Sequence, residues 1–146
     1  MKHIIEYFPK SSSPCHCLNI RRASRAVTHF YENFIAPSGL KVTQYSLLRH
    51  LKYVEPVIIS ELAKIIRIDR TTLNRNLKPL IDTELISVNC GEDPRTRQVV
   101  LTEAGETALA KADVLWNEAQ ESLGEYLGEE LNNFGRLLSK LEALVP

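Results

Sequence analysis

The sequence predicts a mostly α-helical chain with a small β wing: a winged helix-turn-helix set between N- and C-terminal dimerisation helices. Two observations predict it. Residues 60 to 101 read, in order, as a short helix, a tight turn, a cation-bearing helix and a hairpin. The segments on either side carry apolar stripes at helical spacing, with more apolar face than so thin a central unit can cover.

The N-terminal 14 residues, with Pro9, Ser11, Ser12, Ser13 and Pro14, read as a loose arm. From about Cys15 to Ala36, Ile20, Ala23, Val27, Phe30 and Phe34 recur at alternating three and four spacing, an amphipathic helix that Pro37 and Gly39 end. Thr43 is placed to cap a second helix carrying Leu47, Leu48, Leu51 and Val54, which Pro56 stops. Val57, Ile58 and Ile59 then form a short strand able to pair with the wing.

In the next helix Leu62, Ala63, Ile65 and Ile66 supply an apolar face, and Ile68 plugs the turn that follows. Asp69 is a good N-cap, because its carboxylate accepts orphan backbone N–H groups and complements the positive end of the helix dipole. The capped helix starts at about Arg70 with an apolar stripe of Leu73, Leu77, Leu80 and Ile81. Pro79 removes a backbone N–H and crowds the carbonyl of Arg75, so a kink is expected. At about 100° per residue, Thr71, Asn74, Arg75 and Lys78 face away from the leucines, with Arg70 near the edge and Thr72 furthest round. Between Lys64 and Lys78 the basic residues Lys64, Arg67, Arg70, Arg75 and Lys78 oppose the single acid Asp69. Arg and Asn make bidentate hydrogen bonds to base edges, Thr meets phosphate or a thymine methyl, and Lys neutralises phosphate. The alternative for this face is an ordinary solvated helix surface.

Ile86, Val88 and Cys90 alternate with Ser87 and Asn89, and Gln98 to Leu101 return after the turn-rich Gly91, Glu92, Asp93 and Pro94. Arg95 and Arg97 fall at the tip, within reach of a minor groove or a phosphate, with Asp93 beside Arg95 to orient it. Thr102 opens a long helix with Leu109, Ala112, Trp116, Ala119 and Leu123 on one stripe, weakening at Gly124 and Gly128. A last helix carries Leu131, Phe134, Leu138 and Leu141. Interleaving of the terminal helices of two chains would cover these stripes, the alternative being a self-contained bundle.

With 146 residues, 44% hydrophobic and 25% charged, the chain holds one globular domain and not two independent cores. Zero formal net charge argues against a nonspecific nucleic-acid binder, but the distribution corrects that. Residues 1–59 carry eight basic and three acidic groups, residues 60–102 seven and six, and residues 103–146 three and nine. Positive charge therefore gathers in the first two parts, and the acidic last part is expected to face away from DNA.

Ser60-Glu61-Leu62-Ala63-Lys64, the run from Asp69 to Leu80, Asp93-Pro94-Arg95 and Leu101-Thr102-Glu103-Ala104-Gly105 together resemble the MarR family of bacterial transcriptional regulators. The resemblance implies a homodimeric, sequence-specific DNA-binding regulator, a repressor on a pseudo-palindromic operator that a small ligand or thiol oxidation releases. It implies one MarR-like domain over 1–146, with dimerisation helices at about 15–36 and 103–146 and the DNA-binding part at about 43–102. By the resemblance and the facing residues together, the DNA-binding set is Arg70, Thr71, Thr72, Asn74, Arg75 and Lys78 on the helix with Asp93, Arg95 and Arg97 on the wing. The partners expected are double-stranded DNA, a second copy of the chain and a small-molecule effector, with no cofactor, metal or membrane. The alternative function is a winged-helix protein-interaction module that binds no DNA.

Cys15-His16-Cys17 stands at the start of the first helix. A metal site would need two more convergent ligands, and the remote candidates His3, His29, His50 and Cys90 have no paired spacing. For Cys17 a redox role is read from the positive helix start and from Arg21 and Arg22 one turn on. By the resemblance, Cys17 matches the reactive cysteine of the family's organic-hydroperoxide sensors and Tyr31 one of their supporting tyrosines, while Val42 replaces the other. An incidental thiol is the competing reading, and Cys90 is expected to be a small core residue. No phosphate loop, nucleophile elbow or His-Glu-x-x-His motif points to an enzyme. Ile4 and Ile5 are followed at once by Glu6, so neither a secretory signal nor a membrane span is expected, and the location expected is cytoplasmic, with reduced thiols.

Overall fold

A computed structural model describes residues 5–90, 93 and 95–146. His3 and the turn residues Gly91, Glu92 and Pro94 lie outside the described residues. The order of elements is α1 (His16–Ile35), a 3-10 turn (Ala36–Ser38), α2 (Val42–Val54), β1 (Val57–Ile58), α3 (Ile59–Ile66), α4 (Arg70–Asp82), β2 (Ile86–Cys90), β3 (Arg97–Leu101), α5 (Glu103–Leu127), a 3-10 turn (Gly128–Glu130) and α6 (Leu131–Glu142). The three strands form an antiparallel sheet in the order β1-β3-β2, with Val57 opposite Val99 and Cys90 opposite Arg97.

The helix ends follow from local chemistry. Cys15 is the N-cap of α1, its Sγ accepting the N–H of Leu18 at 3.5 Å. Asn19 clasps the arm through Ser13, accepting its N–H at 2.9 Å and donating to its carbonyl at 2.8 Å. Lys41, not Thr43, is the N-cap of α2; Gln44 Oε1 accepts the Lys41 N–H at 2.9 Å, so the side chain three residues on satisfies the cap backbone. Asp69 caps α4 by accepting the Thr72 N–H at 3.0 Å, and Thr102 caps α5 by accepting the Gly105 N–H at 3.0 Å. Helix α4 continues through Pro79 to Asp82, so the proline does not end it. Ile59 opens α3 and is not part of the strand.

One core joins α2, α3, α4, the sheet and α5: Leu48, Leu51, Leu62, Leu73, Leu77, Leu80 and Val99 are fully buried, and Ile68 packs against them from the turn. Burying each such side chain contributes about 1.5 to 3 kcal/mol. Three apolar expectations are corrected. Ile65 and Ile81 are exposed, because each lies a little past the edge of its helix's buried stripe. Cys90 is exposed as well, since β2 is buried only at Ile86 and runs outward from the core toward the tip.

The long helix α5 buries Leu109, Ala112 and Ala119, with Trp116 packed against the core and Leu123 half-buried, and α1 lies along it. Glu55 ties the end of α2 to the end of β3, its carboxylate accepting the Leu101 N–H at 2.8 Å. Helix α6 differs: with all the described residues in place, none of its residues is buried, and Leu131, Phe134, Leu137, Leu138 and Leu141 stay exposed. Among the described residues no helix is long and apolar enough to cross a membrane.

Candidate nucleic-acid interface

Helix α4 stands on the core by Leu73, Leu77 and Leu80, so its opposite face is fixed in direction by burial. Arg70, Thr71, Asn74, Arg75 and Lys78 are all exposed on that face. Thr72 is half-buried, and its hydroxyl is donated to Asp69 Oδ1 in the cap. These bonds from Thr72, side chain first and backbone second, hold the Asp69 carboxyl below its ordinary value.

The wing brings its cations to the same side. Asp93 shapes the turn by accepting the backbone N–H of Arg95 at 2.9 Å, while its carbonyl accepts the Thr96 N–H at 3.0 Å and the Thr96 hydroxyl at 2.9 Å. It thus orients the backbone at Arg95 and not the guanidinium. Arg97 is the first residue of β3, one step inside the hairpin from the turn. A notch of about 240 Å³ between α3, α4 and the wing is lined by Arg70 and Asn74, by Arg95 and Arg97, and by Ser60 and Thr96. Ser60 and Thr96 were not among the candidates from the sequence; only the fold places them beside the arginines. Thr71, Arg75 and Lys78 lie on α4 outside the notch lining.

The ion pairs divide the cations. Lys64 pairs with Glu61 at 3.5 Å, Lys78 with Asp82 at 3.2 Å, and Arg67 with Glu142 at 2.5 Å. Arg70, Arg75, Arg95 and Arg97 form no ion pair among the described residues, which leaves four guanidinium groups available to an external anion.

A second concavity of about 470 Å³ lies between α1, α2 and α5, with Val27, Ile35, Val42 and Trp116 as apolar walls and Tyr31, Tyr45, Arg49 and Gln120 as polar ones. Tyr45 donates to Asp113 at 2.5 Å and accepts from Arg49 at 2.8 Å, and the Arg49 guanidinium lies 4.0 Å from the centre of the Trp116 ring. Burial, and then the bond to Asp113, push the Tyr45 hydroxyl above its ordinary value of 10.0. Tyr31 donates to Gln120, not to Cys17. Cys17 itself is an exposed free thiol in the first turn of α1, outside this cavity's lining. Among the described residues no group of three or more His, Cys, Asp or Glu could hold a metal ion.

A core-mounted helix, a hairpin and a shared arginine-lined notch define a winged helix-turn-helix transcriptional regulator. Residues 38–96 match the model of the MarR family. The chain is 34% identical to the transcriptional regulator MosR of M. tuberculosis over 90% of its own length and 99% of that chain, with a TM-score of 0.77. It is 25% identical to the HTH-type transcriptional regulator YwoH of Bacillus subtilis, covering 81% of this chain and 87% of the relative. MepR of S. aureus, 18% identical over 91% of this chain and all of its own, shares the fold with a TM-score of 0.80. The chain belongs to the MarR family and is a DNA-binding transcriptional regulator.

Proposed function

We propose that the protein acts in the cytoplasm as a homodimeric repressor on a pseudo-palindromic operator. The two copies of α4 enter successive major grooves about 34 Å apart, and the wings reach the flanking backbone or minor groove. The observation that carries this reading is the convergence of Arg70 and Asn74 with Arg95 and Arg97 on one notch whose described lining holds no acid. MosR, the relative at 34% identity, was solved in complex with DNA. The stripes left exposed on α1 and α6 favour pairing of two chains through about residues 15–36 and 103–146. A winged-helix module for protein contact alone would give no use to four arginines on one side that form no ion pair among the described residues.

Footprinting on the DNA flanking the gene, followed by binding titrations at several salt concentrations, tests the reading. A protected two-fold site, and affinity falling by about 0.9 log units per tenfold salt for each phosphate neutralised, are expected. Equal, salt-insensitive binding to any duplex would overturn it.

Release from DNA is assigned to a small ligand in the cavity between α1, α2 and α5, because that cavity touches helices of both the dimer frame and the reader head. Thiol oxidation at Cys17 is the second route, favoured by the exposure of its thiol beside Arg21 and Arg22.

A further inference from the structure

Arg67 and Glu142 stand 75 residues apart in sequence, yet Arg67 Nη1 and Glu142 Oε2 form a charge-assisted hydrogen bond of 2.5 Å. Their positions are specific. Arg67 is the C-cap of α3, in the left-handed region at φ 64°, so it sits in the turn between the two helices of the reader head. Glu142 is the last residue of α6, where a carboxylate opposes the negative end of its own helix dipole. An acid at that end gains little from its own helix; its favourable partner is the cation across the groove. Beside the pair, Lys64 and Ile66 of α3 face Ser139, Ala143 and Val145 across about 850 Å³ of open groove, so the ion pair bridges a gap that packing does not fill. The far end of α6, whose residues are all exposed, is therefore tied to α3 by a charge contact.

We propose that Glu142 is a positioning residue for DNA binding: acting through Arg67, it fixes the end of α6 against the reader head. The proposal rests on the homodimeric reading above. In a dimer joined through α6 and α1, the separation of the two α4 helices depends on how each head is carried by its frame, and a two-fold operator reads that separation as half-site spacing. A simple masking role, in which Glu142 only neutralises Arg67, predicts the opposite sign. Removing an acid next to the cationic run would then strengthen binding to every duplex alike.

The test uses the full-length dimer and duplexes selected by the wild type from a randomised library, together with the same duplexes lengthened or shortened by one and two base pairs between half-sites. The readout is the ratio of affinities across spacings, in which a general change of charge cancels. Glu142→Gln is expected to weaken the matched duplex by about two- to five-fold, the range of an exposed ion pair, and to flatten the spacing preference. Glu142→Arg is expected to flatten it further even though it adds positive charge. The charge swap Arg67→Glu with Glu142→Arg is expected to restore it. An unchanged spacing ratio in both Glu142 variants, or a uniform gain of affinity in Glu142→Arg, overturns the proposal. If the wild type shows no spacing preference at all, the dimeric-operator reading falls and takes the proposal with it.

Discussion

The backbone carbonyl of Leu85 occupies the space in which a Cβ on Gly105 would stand, closer than real Cβ atoms approach any heavy atom. The same carbonyl accepts the Thr102 N–H at 3.1 Å, and the Thr102 hydroxyl is donated to the carbonyl of Glu84 at 2.7 Å. The first turn of α5 is thus welded to the entry of β2, and the wing and the base of the long helix form one body. Alanine at position 105 would gain about 1 kcal/mol in helix propensity. It would also be forced against a hydrogen-bonded backbone atom that cannot rotate aside, a larger cost. Gly105→Ala is expected to lose about 1 to 3 kcal/mol of stability net, read by urea unfolding. A variant as stable as the wild type would show that the joint yields.

On the proposed DNA face, base-reading and phosphate-anchoring residues are expected to respond differently. Arg75→Ala and Asn74→Ala are expected to relax base preference by about 1 to 3 kcal/mol at one position in each half-site. Lys78→Ala, whose ammonium is shared with Asp82, is expected to weaken all sequences modestly and alike. Competition binding against single-base operator variants measures both effects, and the assignment of Asn74 and Arg75 fails if their removal leaves base preference intact.

Leu138 lies in the exposed stripe of α6. In the proposed homodimer, Leu138→Glu would bury an unpaired carboxylate, so the variant is expected to dissociate and to lose operator binding with it. Sedimentation velocity at micromolar concentration gives the answer; a wild type that is a folded monomer there would refute the shared interface.

Asp69 and Tyr45 each contribute to the pH dependence of stability. The Asp69 carboxyl, held low by Thr72, contributes stability that is present above its unfolded value of 3.8 and is lost as pH falls through the lower folded value. Asp69→Asn is expected to flatten that acid limb. The Tyr45 hydroxyl, raised by burial, contributes stability that is present below 10.0 and is lost as pH rises toward its higher folded value. Tyr45→Phe is expected to flatten the alkaline limb in unfolding curves recorded across pH.

If Cys17 is the oxidation-sensitive group, mild organic peroxide is expected to weaken operator binding of the wild type and to spare Cys17→Ser. The Cys17 thiol is oxidised to a sulfenic acid as the organic hydroperoxide is reduced to its alcohol, one oxygen passing from peroxide to sulfur. An equal response of both proteins would leave ligand entry between α1, α2 and α5 as the route of release.

The reader head was legible in the sequence because its logic is local. Asp69 announces a helix start, Leu73, Leu77 and Leu80 repeat at helical spacing, and the exposed cations then follow by geometry. The bonds that join elements were not legible. Glu55 reaches Leu101 across 46 residues, Tyr45 reaches Asp113 across 68 and Arg67 reaches Glu142 across 75, distances at which no periodicity carries a trace. Local patterns also misjudge the edges of a stripe. Ile65, Ile81 and Cys90 are apolar enough for a core, but whether a neighbouring element covers them is decided by tertiary packing. Thr43 is a better intrinsic cap than Lys41, yet Gln44 satisfies the cap from within the helix and moves the start.

Helix α6 exposes a row of leucines that the described residues of one chain do not shelter, and in the proposed homodimer this would tie the protein's persistence to its own abundance. Where copies are plentiful, mass action keeps the row covered. Where they are scarce, more chains stand alone, each showing chaperones and proteases the surface by which unfinished proteins are recognised. A drop in expression would then leave a larger share of the chains with this surface uncovered.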